Sequence, residues 1–209
     1  MLNYAEIKGI IKCETGLRIG GKENTAEIGG VDNPIIRNPI DGFPYIPGSS
    51  LKGKIRFLLE HKENKVSNNE NPHSCDDNNC MICKVFGKNA DTKKEAKGIE
   101  IGRAIFRDAF LTEDSRKKLI DLAEQTGRFV EIKTENVINR KKGTAEHPRD
   151  MERVPAGTEF EFSISVRIFD KKEEEEIINF IKEGLQLLEK DALGGSGSRG
   201  YGKVKIEYK

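Results

Sequence analysis

A short stretch of the sequence holds four potential metal ligands in an H-x-C-x4-C-x2-C arrangement: His73, Cys75, Cys80 and Cys83. Structural zinc sites take four tetrahedral nitrogen and sulfur ligands, and short loops between cysteines let the thiolates converge without strain. The pattern predicts a structural zinc that holds together a polar segment unable to fold by burial alone; the alternative is an unligated loop. Because all four positions are filled, no position stays open for a catalytic water, which disfavours a zinc-dependent hydrolase.

A glycine-rich loop at 194–202, GGSGSRGYG, lies between a predicted helix and the predicted last strand. Backbone N–H groups in such a run form concavities that bind anions. The residues that would address a phosphate are Gly194, Gly195, Gly197 and Arg199. The alternative is a flexible turn between helix and strand, which the loop alone favours at least as strongly.

A second cationic group stands at the beginning of a predicted helix. Free N–H donors at a helix start and nearby cationic side chains can bind a phosphate together. The candidates are Ser49, Ser50, Lys52, Lys54 and Arg56. A solvated helix face explains the same residues about equally well, because a spacing of two spreads the cations around the helix.

Asp32 lies in a glycine-flanked turn, GGVDNP. Asp-Asn-Pro is a good turn former, so the residues alone favour a structural aspartate over a catalytic one. No second carboxylate lies close in sequence. His61 and His147 are too isolated to indicate a histidine-based nucleophilic site, and Cys13, on a predicted strand, is expected to be a buried core thiol.

Composition limits the class of protein. The chain has 209 residues, of which 34% are charged, yet its net charge is only +1, so binding of nucleic acid must depend on local cationic clusters. No apolar run approaches the length of a membrane helix, and the first ten residues lack a signal core. We therefore expect a cytoplasmic protein without a membrane partner, in which cysteines serve metal binding rather than disulfides.

Two kinds of hydrophobic periodicity predict an α/β (α+β) fold. Alternation over 159–169 and 204–208 indicates strands, and 172–190 carries a helical stripe between them. A matching unit precedes it, with a strand through Ile7 and Ile11 and a helix that begins near Ser49 or Ser50 as N-cap. A further helix is predicted at 114–125, closed by Gly127. Two β-α-β units of this kind favour a ferredoxin-like sheet with helices on one face.

Three segments do not fit that body. Residues 62–91 are polar, asparagine-rich and hold the H-x-C-x4-C-x2-C pattern, which indicates an insertion. Residues 127–155 alternate around a basic stretch that ends in Gly143, as expected of a β-hairpin arm. Residues 16–48 are too long for an ordinary connection. We expect one domain, 1–209, with a zinc-binding insertion at 62–91 and an arm at 127–155.

Read together, several stretches resemble the RAMP superfamily, and most closely the repeated backbone subunit of type III-A CRISPR (Csm) effector complexes. They occur in the family's order: TGLRIGG at 15–21, IGGVDNPIIRNP at 28–39, PYIPGSSLKGKIR at 44–56, RDA at 107–109, VEIKTENVINR at 130–140, ERVPAGTEF at 152–160 and LGGSGSRGYGKV at 193–204. The resemblance covers most of the chain. It implies a ferredoxin-like, RRM-like RAMP body with a β-hairpin thumb.

The resemblance also implies a function. Such subunits stack in copies along a crRNA, contact other Csm subunits, and cleave guide-paired target RNA at regular intervals with a divalent metal such as Mg(II). Asp32 matches the catalytic aspartate, and the implied RNA contacts add Arg18, Lys133, Asn136 and Arg140. The family often has histidine where this chain has Arg18; an RNA contact tolerates arginine there. The alternative is a crRNA-binding scaffold subunit that does not cut.

Overall fold

The structure is a computed structural model that describes residues 2–21, 33–66, 71–88 and 101–209. Its main sheet contains β1 (Asn3–Cys13), β2 (Ala104–Phe106), β3 (Phe110–Leu111), β6 (Glu159–Ile168) and β7 (Val204–Tyr208). The order is β2-β6-β1-β7, all neighbours are antiparallel, and β3 also pairs with β6. Helix α1 (Gly48–Lys62) follows β1, and α4 (Glu174–Lys190) joins β6 to β7. These interleaved β-α-β units are the ferredoxin-like arrangement, so the predicted fold class is confirmed.

The core lies between the sheet and these two helices. The alternating residues of β6 that were expected on one face are buried, as are the apolar stripes of α1 and α4, including Leu51, Ile55, Ile177, Ile181 and Leu185. Gly184 lets the helices approach closely, because a Cβ atom there would lie 2.5 Å from Cγ2 of Ile55. The short helix α2 (Met81–Phe86) adds its buried side to the same core.

Helix α1 is not capped by a serine. It begins at Gly48 after Pro47, and neither Ser49 nor Ser50 accepts a capping hydrogen bond, so that expectation was wrong. Instead the backbone N–H of Gly48 donates to Oδ1 of Asp108 at 2.7 Å. A carboxylate distant in sequence therefore satisfies the orphan donor that a local cap usually satisfies.

Helix α3 (Glu113–Thr126) agrees at both ends with the helix predicted at 114–125 and closed by Gly127. The Thr112 side chain accepts from the N–H of Ser115, and Gly127 closes the helix with a φ of 76°. Among the described residues, no helix is both long and apolar enough to cross a membrane.

A separate hairpin stands apart from the main sheet. Its strands are β4 (Glu131–Ile138) and β5 (Ala145–Arg153), which pair antiparallel with an irregularity between Glu135 and Val137. Asn139 shapes the turn, because its Oδ1 accepts from the N–H groups of Lys141 and Lys142. Below, this hairpin is called the arm.

Candidate functional site

The four predicted metal ligands converge. The donor atoms of His73, Cys75, Cys80 and Cys83 all lie within 4.8 Å of one another. Nε2 of His73 is 3.5 Å from Sγ of Cys80, and Sγ of Cys75 is 3.8 Å from Sγ of Cys83. Helix α2 supplies Cys83, and Cys80 immediately precedes that helix. Three sulfurs and one imidazole nitrogen fit a tetrahedral soft divalent ion.

The pKa shifts at the cluster favour metal binding by His73 and Cys80 and oppose it at Cys83. Burial raises the pKa of Cys80, but its hydrogen bonds, including one from the Lys65 ammonium at 3.3 Å, outweigh burial and leave the pKa lowered. Burial lowers the pKa of His73, which favours the neutral imidazole that binds metals. The pKa of Cys83 is raised by burial to about 12, so metal binding must displace its proton.

Cys13 differs from these cysteines in place and chemistry. It is fully buried at the end of β1, as expected, and is not part of the four-donor cluster. Burial raises the pKa of its thiol to about 12. A protonated thiol is not a ready nucleophile, and Cys13 is not among the converging donors that a metal site requires.

The residues of α1 that were predicted to bind a phosphate differ in their exposure and in their partners. Ser49 is exposed and Ser50 half-buried. Nζ of Lys54 lies 2.8 Å from Oδ2 of Asp191, just after α4. Lys52 forms no ion pair with any carboxylate that the structure describes, and burial, then the Arg56 guanidinium, lowers its pKa. Nη2 of Arg56 donates to the backbone carbonyl of His73 of the insertion at 2.6 Å.

The glycine-rich loop packs on the segment that holds Arg18. The N–H of Gly195 donates to the carbonyl of Arg18 at 2.8 Å, and the N–H of Gly202 donates to the carbonyl of Gly16 at 3.0 Å. Gly194 has a φ of 76°, and a Cβ atom there would lie 2.2 Å from the carbonyl oxygen of Arg18. Gly197 and Arg199 form a short 3-10 turn within the same loop. Two motifs from opposite ends of the chain thus form one surface.

The arm docks on that loop through Glu135. The Tyr201 hydroxyl donates to Oε1 of Glu135 at 2.8 Å, and Nη1 of Arg199 lies 2.8 Å from Oε2. Two further cations of the arm, Lys133 and Arg149, lie at 3.8 and 3.6 Å from the same carboxylate. These contacts, led by the Tyr201 hydrogen bond, lower the pKa of Glu135 although burial opposes them. Glu135 therefore stays ionised between the arm and the loop.

The other arm residues expected to bind RNA lie elsewhere on the hairpin. Lys133 also lies over the Tyr201 ring, with Nζ 4.7 Å from the centroid. Asn136 is exposed at the strand irregularity, and Arg140 is exposed at the turn. Val137 and Ile138 beside them expose about half of their surface. The far part of the arm therefore offers both cationic and apolar groups to solvent.

Asp32 lies outside the described residues. Asn33, which follows it, is held on two sides: its Oδ1 accepts from Nη2 of Arg18 at 3.3 Å, and its carbonyl accepts from the N–H of Glu152 at 3.2 Å. The buried carboxylate of Glu152 in turn accepts from the N–H of Ile35 and from Nη2 of Arg37. The chain after Asp32 is therefore anchored between Arg18 and the base of the arm.

Sequence reasoning missed the acidic residues that organise these sites. Glu135 and Glu152 each gather partners from other segments, which no local pattern reveals. One signal was present: in the paired strands of the arm, Glu135 alternates with Lys133 and lies opposite Arg149. An acid that faces one cation across the strands and lies beside another on the same strand face indicates an ion-paired centre.

These features define a ferredoxin-like α/β protein with a four-donor metal cluster and a hairpin arm docked on a glycine-rich loop. Residues 10–205 match the model of the RAMP superfamily. Over 206 residues the chain is 48% identical to a protein of Methanocaldococcus jannaschii named CRISPR system Cms endoribonuclease Csm3, and the match covers 96% of this chain and 77% of that protein. The chain belongs to the RAMP superfamily and, within it, to the Csm3 family.

Solved structures agree with that assignment. A chain of the Csm3–Csm4 subcomplex of a type III-A CRISPR-Cas interference complex is 35% identical, with a TM-score of 0.59 over 98% of this chain and 75% of that one. The Csm3 crystal structure from Methanopyrus kandleri is 26% identical, with a TM-score of 0.65 over 100% of this chain and 76% of that one. The family resemblance drawn from the ordered motifs is confirmed.

Proposed function

We propose that this chain is a crRNA-binding backbone subunit of a type III-A CRISPR interference complex in the cytoplasm. In that complex it cleaves guide-paired target RNA at regular intervals. Other copies of the chain and other Csm subunits are the proposed partners. One observation carries the proposal: the three motifs that the family uses for RNA, around Arg18, in the glycine-rich loop and in the arm, meet at one surface. The endoribonuclease name of the Methanocaldococcus relative supports the catalytic part.

The body of the chain is proposed to hold the guide backbone. Lys52 is the best-placed cation of α1, because Lys54 is paired with Asp191 and Arg56 faces the insertion. Arg18, Gly194, Gly197 and Arg199 are proposed to contact phosphates on the adjoining surface. The N–H groups of Gly195 and Gly202 already donate to the carbonyls of Arg18 and Gly16. Backbone and arginine donors of this kind position RNA without reading its sequence.

The arm is proposed to act as the thumb that enters the guide–target duplex. Its far end exposes the apolar side chains of Val137 and Ile138, next to Arg140 and two lysines. An apolar wedge can unstack a base step while neighbouring cations hold the phosphates. Unstacking frees one target nucleotide to turn its 2′-hydroxyl toward its own phosphate.

Asp32 is proposed to serve this strained nucleotide. A single carboxylate can accept the proton of the 2′-hydroxyl as the 2′-oxygen attacks phosphorus and the 5′-oxygen leaves, or it can help to bind a divalent metal. Mg(II) or a similar ion would supply charge neutralisation at the phosphate when bound. Most of the rate then comes from the geometry that the assembled complex imposes.

The test uses the complex copurified with its crRNA and a complementary labelled target. The unaltered complex should give a ladder of regularly spaced, Mg(II)-dependent cuts, and Asp32→Ala should abolish the ladder while guide and target binding persist. Asp121→Ala, which removes an exposed aspartate on α3, is the matched control and should cut normally. A deoxyribose at each scissile nucleotide should stop cleavage, and cutting that persisted would exclude the 2′-hydroxyl mechanism.

The alternative function is a scaffold that binds crRNA without cutting. It is favoured if the assembled complex with an unaltered Asp32 binds target but produces no ladder. The two functions share the guide-binding surface and differ only at Asp32 and the arm. Target binding without cuts in all conditions would therefore reject the catalytic proposal and keep the RNA-binding one.

The cluster of His73 and three cysteines is proposed to hold a structural zinc that stabilises the insertion at 62–91 within a single domain of 1–209. Cys80→Ser should remove about one equivalent of zinc from the purified chain. Cys13→Ala is the control, because that thiol lies in the main core and not in the cluster. Equal zinc content in both variants would reject the site.

A further inference from the structure

The last turns of helix α1 contact the metal cluster through side chains that bind no metal themselves. Oε1 of Glu60 accepts from the backbone N–H of His73 at 3.0 Å and from Nε of Arg56 at 2.7 Å. Nη2 of Arg56 donates to the backbone carbonyl of His73 at 2.6 Å. Both backbone groups of His73 are therefore held by one ion pair of α1.

This ion pair is almost removed from solvent. The Glu60 and Arg56 side chains are 11% and 12% exposed. A desolvated ion pair is costly unless further hydrogen bonds satisfy its remaining atoms, and His73 supplies those bonds. An ordinary i,i+4 pair on a helix surface needs no such third partner. The contacts with His73 indicate that the pair serves the insertion as well as the helix.

A third contact comes from Lys65, three residues beyond the end of the same helix. The N–H of Lys65 donates to the carbonyl of Glu60 at 2.8 Å, and Nζ of Lys65 lies 3.3 Å from Sγ of Cys80. Three thiolates, one neutral imidazole and a divalent ion carry a net charge of −1, so a nearby ammonium compensates the loaded cluster. Groups that hydrogen-bond to the metal ligands, or that carry charge near them, commonly change metal affinity by about 10- to 100-fold when they are removed.

We propose that Glu60, through its joint hydrogen bonds with Arg56 and His73, is a positioning residue for the metal cluster, so that helix α1 sets the affinity of the insertion for its metal. The inference rests on the zinc assignment of the proposed function. Glu60 orients the His73 backbone so that Nε2 faces the three sulfurs. Without these hydrogen bonds, the His73 backbone would become ordered only when the metal binds. The entropic cost of that ordering would lower the affinity for zinc.

The experiment measures metal binding by the purified full-length chain. Zinc affinity is obtained by competition with a chromophoric chelator, and Co(II) absorption reports the geometry of the ligand set. Glu60→Ala should bind zinc about 10- to 100-fold more weakly, the usual range for partners of metal ligands, with an altered Co(II) band. Glu60→Gln, which keeps an acceptor for His73, should lie between Glu60→Ala and the unaltered chain.

The control is Glu63→Gln at the same helix end, whose carboxylate pairs only with Lys62 in the described contacts. It should leave zinc affinity and the Co(II) spectrum unchanged. Thermal unfolding with zinc and with excess chelator separates positioning from general stability. Glu60→Ala should reduce the zinc-dependent part of the melting shift, because that part follows affinity.

Two results overturn the proposal and are distinguishable. If Glu60→Ala binds zinc with unaltered affinity and loses equal stability with and without metal, Glu60 is only half of a structural ion pair. If the unaltered chain binds neither zinc nor Co(II), the zinc assignment fails and this inference falls with it.

Discussion

Nη1 of Arg199 lies 2.8 Å from Oε2 of Glu135, which joins the glycine-rich loop to the arm. The other carboxylate oxygen accepts from the hydroxyl of Tyr201, a side chain that is only 1% exposed. One carboxylate of the arm thus accepts a hydrogen bond from a buried hydroxyl of the loop and forms an ion pair with an arginine of the loop. This residue is therefore one of the contacts that hold the arm on the body.

Glu135→Ala should loosen the arm without unfolding the body. The Tyr201 hydroxyl would lose its acceptor while buried, which costs about 1–3 kcal/mol in free energy of unfolding. Hydrogen exchange should accelerate in Glu131–Ile138 more than in β1 or β6. Glu161→Ala is the control, because that carboxylate is exposed and, among the residues that the structure describes, pairs only with Lys209; it should change neither measurement much. Equal exchange in the arm of both variants would contradict the anchoring role.

The same carboxylate predicts a pH dependence. The pKa of Glu135 is lowered chiefly by the Tyr201 hydrogen bond and by neighbouring cations. A carboxyl group whose folded pKa is depressed stabilises the protein fully above its unfolded pKa, about 4.3, and loses that contribution as the pH falls through the lower folded pKa.

The measurement compares the unaltered chain with Glu135→Gln. The difference in free energy of unfolding should be constant near neutral pH and shrink below about pH 4.3, where the carboxylate is protonated first in the unfolded chain and, at lower pH, in the folded one. A difference that persists unchanged to the lowest accessible pH would show that the charge of Glu135 contributes nothing.

The main elements could be predicted because their signals are local. Strand β6 and helix α4 carry clean hydrophobic periodicities, and Gly127 ends α3 with the positive φ that its position indicated. The spacing of His73 and the cysteines likewise predicted that four donors converge, since short loops leave few alternatives.

The remainder could not be predicted because it depends on pairing between distant segments. Asp108, not a neighbouring serine, satisfies the start of α1. Glu60 holds His73, and this bond diverts Arg56, which the sequence suggested for RNA, toward the insertion. Such pairs cannot be predicted from the sequence, because each charged residue alone is of a type that usually lies on the surface. Only the fold brings the partners together.

Gly194→Ala should damage the contact between the glycine-rich loop and Arg18. The new Cβ would lie 2.2 Å from the Arg18 carbonyl oxygen, where only the backbone can move aside. Gly127→Ala is a matched control, since both glycines have a φ of 76° but Gly127 has no atom within 4 Å of an added Cβ. Both variants carry the strain of positive φ, of order 1 kcal/mol. Only Gly194→Ala should also lose crRNA affinity, and equal losses in both would contradict a role for the loop surface.

Lys52 and Lys54 should differ in their contribution to guide binding although they lie two residues apart. Lys54 is paired with Asp191 at 2.8 Å and lies near the Phe57 ring, so its charge is already compensated. Lys52 has no ion pair with the carboxylates of the described ranges, and its pKa is lowered by burial and then by Arg56. A phosphate bound at Lys52 would stabilise an ammonium group that burial and the Arg56 charge disfavour. A phosphate at Lys54 would have to compete with Asp191 for the ammonium group.

Salt titration of RNA binding distinguishes the two lysines. Each phosphate contact to single-stranded RNA contributes about 0.7 to the slope of log affinity against log salt concentration. Lys52→Ala should weaken guide binding uniformly across sequences and reduce that slope by about one contact, while Lys54→Ala should change the slope less. Circular dichroism spectra should match for both, because neither lysine lies in the core. If Lys54→Ala reduces the slope as much as Lys52→Ala, the Asp191 pair opens when RNA binds and both lysines hold phosphates.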